Sequence, residues 1–132
     1  MNRLIKTVKF DDKGLVPAII QDHKNGDVLM FAFLNRTSLQ KTLETKLMHY
    51  YSRSRQKLWL KGEESGHVQR VKSFYADCDS DCLLFNVEQV QAACHVGYRS
   101  CFFSKGNAAK QSWKATGKKI FDPSKVYKTK HR

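Results

Sequence analysis

Gly14-Leu15-Val16-Pro17-Ala18-Ile19-Ile20-Gln21-Asp22 is followed, after His23-Lys24, by Asn25-Gly26 and then by the apolar run from Val28 to Leu34. Two apolar runs around Asn-Gly are a strong short-range signal for a β-hairpin. A type I′ turn needs positive φ at both central residues, and Asn and Gly reach it at least cost. The first run predicts a strand over 14–22. Pro17 belongs near its start or on an edge, because proline donates no ladder hydrogen bond. The second run is apolar at nearly every position and predicts a returning strand buried on both faces.

Working outward, Asn35 is a good N-cap, and 36–45 predicts a helix with Leu39 and Leu43 forming its inner stripe. Such a helix would cap one end of a sheet. Leu47 to Arg53 and Leu58-Trp59-Leu60 read as strands. Lys61 to Gly66 reads as a polar loop with two glycines. Further strands are predicted over 68–75 and 83–90, with a short strand or helical turn near 4–10. Asp122 to Tyr127 predicts a turn into a short helix or strand. Many short strands with one clear helix imply a mainly β protein with one or two helices, a compact sheet or pseudo-barrel capped by a helix.

The 132 residues suit a single domain over 1–132, with a basic C-terminal tail from about 104 that includes Lys118, Lys119, Lys125, Lys128, Lys130, His131 and Arg132. That tail reads as a soluble, mobile end. Hydrophobic residues make up 41% of the chain, and no run approaches the ~18 apolar residues of a membrane span, so no membrane partner is expected. The opening Met1-Asn2-Arg3-Leu4-Ile5-Lys6 lacks an apolar signal core. The expected location is therefore the cytoplasm, where four cysteines serve as ligands or buried thiols rather than disulfides. A formal charge of +12 suits nucleic acid, anionic lipid, an acidic protein or a multiply phosphorylated small molecule.

Asp77-Cys78-Asp79-Ser80-Asp81 carries the chemistry. In an extended segment Asp77, Asp79 and Asp81 would crowd one face, with Cys78 on the other. Such crowded carboxylates suit Mg²⁺, whereas the separated thiols Cys78, Cys94 and Cys101 suit Zn²⁺ with an open fourth position. An EF-hand is disfavoured, because Cys82 stands where the template needs glycine. Taken alone, the acidic run is equally a solvated loop, and Cys78 and Cys82 are equally buried apolar residues. In His49-Tyr50-Tyr51-Ser52-Arg53-Ser54-Arg55, strand alternation would place Tyr51, Arg53 and Arg55 on one face. Those two guanidinium forks match phosphate oxygens. The Gly62–Gly66 loop could turn N–H groups toward an anion, though it lacks the P-loop pattern. Trp59 suits the core. His95, beside Cys94, is a candidate proton handler.

Taken together and in order, these stretches, with Gly14-Leu15-Val16-Pro17-Ala18, Trp59-Leu60-Lys61-Gly62-Glu63, Ser65-Gly66-His67-Val68-Gln69 and Ala93-Cys94-His95…Arg99-Ser100-Cys101, resemble the phosphoribosyl-AMP cyclohydrolase family of histidine biosynthesis. The resemblance runs from about residue 14 to residue 103. It implies hydrolysis of the N1–C6 bond of the adenine ring in phosphoribosyl-AMP, giving the formimino-carboxamide ribonucleotide. It further implies Mg²⁺ on Asp77, Asp79 and Asp81. Zn²⁺ would be held by Cys78, Cys94 and Cys101 in an intertwined homodimer, with Cys78 coming from the other subunit. Two departures stand out: Glu64 replaces a common threonine, and Cys82 is an extra cysteine, read as a buried small residue. In some relatives a pyrophosphohydrolase domain follows, but only about 30 residues lie beyond Cys101, too few for one.

The implied chemistry is coherent. C6 of an N1-substituted adenine is an electron-poor amidine carbon, and a zinc-bound water is a nucleophile strong enough to attack it at neutral pH. Zinc deaminases attack the same carbon, but their H-x-E…P-C-x-x-C signature is absent. His95 is the expected proton handler, and Arg53, Arg55, Lys61, Gly62, Ser65 and Gly66 are the expected contacts to the substrate's two phosphates. The alternative is a small zinc-containing nucleic-acid-binding module. Against it, the basic residues gather on no one helix and three acids occupy the centre of the site.

Overall fold

The computed structural model describes residues 2–127; Lys128, Lys130, His131 and Arg132 of the expected basic tail lie outside them. β1 (Leu15–Asp22) and β2 (Val28–Asn35) form the predicted antiparallel hairpin, pairing Leu15 with Asn35 and Ile20 with Met30 before a bulge brings Gln21 opposite Val28. The connection is not the expected type I′ turn, because of the pair only Gly26 has positive φ, at 78°. Asp22 builds a wider turn instead. Its carboxylate accepts the Lys24 N–H at 2.8 Å, and its carbonyl accepts the Gly26 N–H at 3.0 Å. The Asn25 side chain is engaged elsewhere, accepting the Asp27 N–H at 2.9 Å.

β1 also runs parallel to β6 (Leu83–Gln89), which pairs antiparallel with β5 (Gln69–Ala76), giving an open four-stranded sheet of order β2-β1-β6-β5. Pro17 precedes the first β1–β6 pair, Ala18 with Leu83, so its missing N–H breaks no bond there. The inner face carries Val16, Ala18, Ile20, Leu83, Phe85 and Val87 against Met48, Tyr50 and the helix residue Leu39. β6 alternates strictly between buried and half-buried positions, the period-2 pattern of a sheet packed on one side.

β2 departs from the sequence expectation. It is an edge strand, and although Leu29, Met30 and Leu34 are buried, Phe31 is 48% exposed. Ile19 on β1, opposite Phe31, is also exposed, as is Tyr75 on β5, opposite the half-buried Leu84. An apolar strip therefore crosses the outer face of the sheet.

α2 (Arg36–Thr45) has the predicted bounds. Asn35 and Ser38 close a capping box, each side chain accepting the other's N–H, and Lys46 ends the helix in the left-handed region. Thr42 then ties α2 to the next strand, its hydroxyl oxygen accepting the His49 N–H at 2.9 Å. That strand, β3 (His49–Ser52), pairs with β4 (Lys57–Leu60). Two short helices, α1 (Asn2–Lys6) and α3 (Pro123–Val126), raise the helix count among the described residues to three. α3 is the short helix expected from the Asp122–Tyr127 turn, and the polar segment before it, counted with the basic tail from about 104, holds an exposed hairpin of β7 (Ser104–Asn107) and β8 (Ser112–Ala115). Among the described residues no helix is long and apolar enough to cross a membrane.

Candidate active site

A cavity of about 920 Å³ opens between the β3–β4 hairpin, the outer edge of β2 and the loop that follows β6. Arg53, Arg55, Lys61, Gly62, Ser65, His95 and Cys101 all line it. Of the expected substrate contacts, Gly66 does not. Arg53 and Arg55 lie in the β3–β4 turn, not on a strand, since β3 ends at Ser52; the alternation argument therefore does not apply to them. Both are exposed and line the cavity from that turn. The Arg53 guanidinium packs over the Phe33 ring at 4.1 Å, and the Arg55 N–H donates to the Ser52 hydroxyl at 3.2 Å. The apolar support holds a cation at the cavity mouth with its donor edge available.

The 61–66 loop closes through the Gly66 N–H to the Gly62 carbonyl at 2.7 Å. Gly62 has φ of 89°, and a β-carbon there would lie 2.6 Å from the His67 carbonyl carbon. Lys61 is buried, and its ammonium donates to the Ala93 carbonyl at 2.5 Å. It thus fixes the residue preceding Cys94, while its stem lines the cavity. His67 is also buried; desolvation, then the nearby Lys61, hold its imidazole below its usual pKa.

Loop 94–101 is pinned at both ends. The Ala93 N–H donates to the Arg99 carbonyl at 2.8 Å, and the Cys101 N–H to the Leu29 carbonyl of β2 at 2.7 Å. Arg99 forms an ion pair with Asp22, and Tyr98 stacks on Phe103 with ring centroids 4.0 Å apart. Cys94 is buried and Cys101 exposed. Beneath them, Tyr50 donates its hydroxyl to Gln69 at 2.5 Å; burial and then Cys101 push its pKa well up, so it stays protonated.

The acidic stretch is a turn rather than the extended segment expected. Asp77 accepts the Asp81 N–H at 3.0 Å and the Cys82 N–H at 3.2 Å, and Ser80 adopts φ of 62°. This folding, not strand alternation, brings one carboxylate oxygen from each of Asp77, Asp79 and Asp81 within 4.8 Å of the others. Asp79, then Asp77, push the Asp81 carboxyl up to about 6. Such crowding of negative charge is what a hard divalent cation relieves, so the donor set fits Mg²⁺. Cys82 is half-buried there; burial, then Asp77, Asp81 and Asp79, push its thiol pKa up, which disfavours the thiolate that a metal needs.

The three sulfurs expected to bind zinc do not meet within one chain. Cys78 lies in the β5–β6 turn, at the end of the sheet where β1 begins, and the Lys9 N–H donates to Ser80 in that turn. Cys101 is tied to Leu29 at the opposite end, beside the turn that follows β1. β1 has eight residues, which puts the two cysteines on the order of 20 Å apart.

The family model for phosphoribosyl-AMP cyclohydrolase matches residues 30–103, more than half of the 132 residues. The chain belongs to the phosphoribosyl-AMP cyclohydrolase family. A phosphoribosyl-AMP cyclohydrolase of Methanococcoides burtonii is 51% identical over 123 residues, covering 93% of this chain and 98% of that protein. One of Chlorobium phaeovibrioides is 54% identical over 127 residues, covering 96% and 92%. The histidine biosynthesis bifunctional protein HisIE of Thermoanaerobacter pseudethanolicus is 52% identical over 133 residues; 99% of this chain is matched, but only 60% of that longer protein.

The cyclohydrolase cavity also includes residues that sequence reading did not single out: Phe33 under Arg53, Lys13 from the lead-in, Lys57 on β4, and Tyr127. Only Tyr127 had a sequence signal, the Asp122-Pro123 helix start just before it.

Proposed function

We propose that the chain hydrolyses the N1–C6 bond of 1-(5-phosphoribosyl)-AMP in histidine biosynthesis, using a zinc site completed by a second copy of the chain. Beyond the family, one observation carries the reading. The cavity gathers His95, Cys101, Arg53 and Arg55, while Cys78 and the three carboxylates lie at the far end of the same sheet. A homodimer that lays the 77–82 turn of one subunit across the cavity of the other would unite them. The exposed strip of Phe31, Ile19 and Tyr75 supplies an apolar face for such an interface.

In this reading Cys94 and Cys101 hold zinc with the second subunit's contribution, and Asp77, Asp79 and Asp81 hold Mg²⁺. Zinc, when bound, supplies the Lewis acidity that makes water nucleophilic at neutral pH. The rest falls to the chain's own groups. Arg53 and Arg55 bind phosphate at the mouth, and Lys61 holds Ala93 so that Cys94 and His95 keep their places. His95 moves the proton to the departing N1. Two phosphates on one substrate give the +12 charge a specific partner. The reducing location that these thiols need is the cytoplasm.

The test is ultraviolet absorbance of a phosphoribosyl-AMP solution, followed with purified protein whose zinc and magnesium contents have been measured. Ring opening changes the purine chromophore, so the spectrum should shift at a rate proportional to protein. An unchanged spectrum with zinc- and magnesium-replete protein would sink the reading.

A further inference from the structure

The segment 119–127 returns to the cavity rather than trailing away. The Ile120 N–H donates to the Gly97 carbonyl at 2.7 Å, and a β-carbon at Gly97 would lie 2.5 Å from the Phe121 carbonyl oxygen. The Phe121 ring meets His67 edge-on, with centroids 4.7 Å apart. The carboxylate of Asp122 accepts the Ser124 N–H at 3.0 Å and its hydroxyl at 2.7 Å, and Pro123 opens α3. The Tyr127 N–H donates to the Pro123 carbonyl at 2.9 Å, and its ring lies 6.0 Å from that of Phe121. Each contact fixes the direction in which Tyr127 leaves α3, and that direction is the cavity wall.

Resting on the proposed cyclohydrolase reading, we propose that Tyr127 is a substrate-positioning residue whose ring stacks on the purine of the bound nucleotide. The segment is anchored on Gly97 and His67, so Tyr127 enters from the side of loop 94–101, where His95 and Cys101 face the cavity. The phosphate-binding arginines approach from the β3–β4 turn instead. A half-buried aromatic at the His95 side meets the base, whose flat face it can cover whichever edge is under attack. Stacking of this kind strengthens binding by about tenfold or more per base.

The experiment compares wild type with Tyr127→Leu, Tyr127→Phe and Tyr127→Trp in steady-state turnover of phosphoribosyl-AMP, with zinc content and Tm measured for each. Tyr127→Leu should raise KM about tenfold while kcat changes little, in keeping with the loss of one stacking contact. Phe and Trp, which keep a π-face, should hold KM within about threefold of wild type. If Leu lowers Tm, the comparison of Phe and Trp with wild type still decides. An unchanged KM in the Leu variant, or a Phe variant as impaired as Leu, overturns the proposal. Inactivity of the wild type overturns the cyclohydrolase reading itself, a distinct result.

Discussion

Asp22, at the end of β1, forms an ion pair with Arg99 in the loop between Cys94 and Cys101, and so couples the sheet to the cysteine loop. Asp22 is buried and Arg99 partly exposed. Burial opposes ionisation of Asp22, but the N–H groups of Lys24 and Asn25 and the Arg99 guanidinium outweigh it and hold the carboxyl below its ordinary value. A depressed carboxylate stabilises the fold fully above the unfolded pKa of ~3.9, and that stabilisation is lost as pH falls through the folded value.

Asp22→Asn keeps an oxygen for the turn but removes the charge facing Arg99. The expected loss at pH 7 is about 1 kcal/mol, modest because Arg99 is partly solvated. Thermal melts should show the deficit narrowing below pH ~4, where wild type also loses the charge. A deficit independent of pH would show that shape, not charge, matters at this position.

Local elements were legible because their signals are local. Asn35 and Ser38 cap α2 through side chains three residues apart, and the apolar run of 15–22 had to be a strand. Long-range neighbours were not legible. The parallel pairing of β1 with β6 joins Ala18 to Leu83, and nothing in either run prefers that partner over another. The exposure of Phe31, like that of Ile19 on the interior strand β1, follows from both lying on the outer face of the sheet, a fact of topology rather than of composition. The same holds for the site: the family resemblance, not the residue types alone, implied Cys78, Cys94 and Cys101 as a ligand set with Cys78 from the other subunit, and strand order puts the first and the last at opposite ends of the sheet in one chain.

Gly62→Ala tests the loop under the cavity. The substituted β-carbon would meet His67 and Val68 backbone at 2.6 Å in a residue with φ of 89°. Neither backbone atom can move without disturbing the entry to β5. The variant should lose at least ~1 kcal/mol of stability, and kcat/KM should fall because Lys61 adjoins the strained residue. A variant with wild-type Tm and turnover would show that the loop relaxes freely.

Subunit mixing tests the shared zinc site. Cys78→Ser and Cys101→Ser homodimers should each be inactive and zinc-poor, whereas Cys82→Ala, which removes a thiol whose pKa is raised, should keep both zinc and turnover. In a mixed dimer one site loses both cysteines and the other regains its full set. After random exchange in equal amounts, activity should recover to about a quarter of wild type. No recovery despite demonstrated exchange would mean that each site is built within a single chain.

Metal removal separates the acidic turn from the thiols. Mg²⁺ on carboxylates keeps several waters and is held loosely, whereas zinc on thiolates is held tightly. The carboxylates of Asp77, Asp79 and Asp81 are all exposed, so a mild chelator has direct access to whatever they bind. Dialysis should therefore remove Mg²⁺ and turnover while zinc stays with the protein, and added Mg²⁺ should restore activity. Asp79→Asn removes one of three converging charges and should raise the Mg²⁺ concentration needed for half-maximal rate, leaving zinc content unchanged. The substrate's phosphates add a second readout, because a turn without its cation repels them and KM should rise as Mg²⁺ is withdrawn. Full activity of zinc-replete, magnesium-free protein would remove the acidic turn from the reaction and leave it a structural feature of the β5–β6 connection.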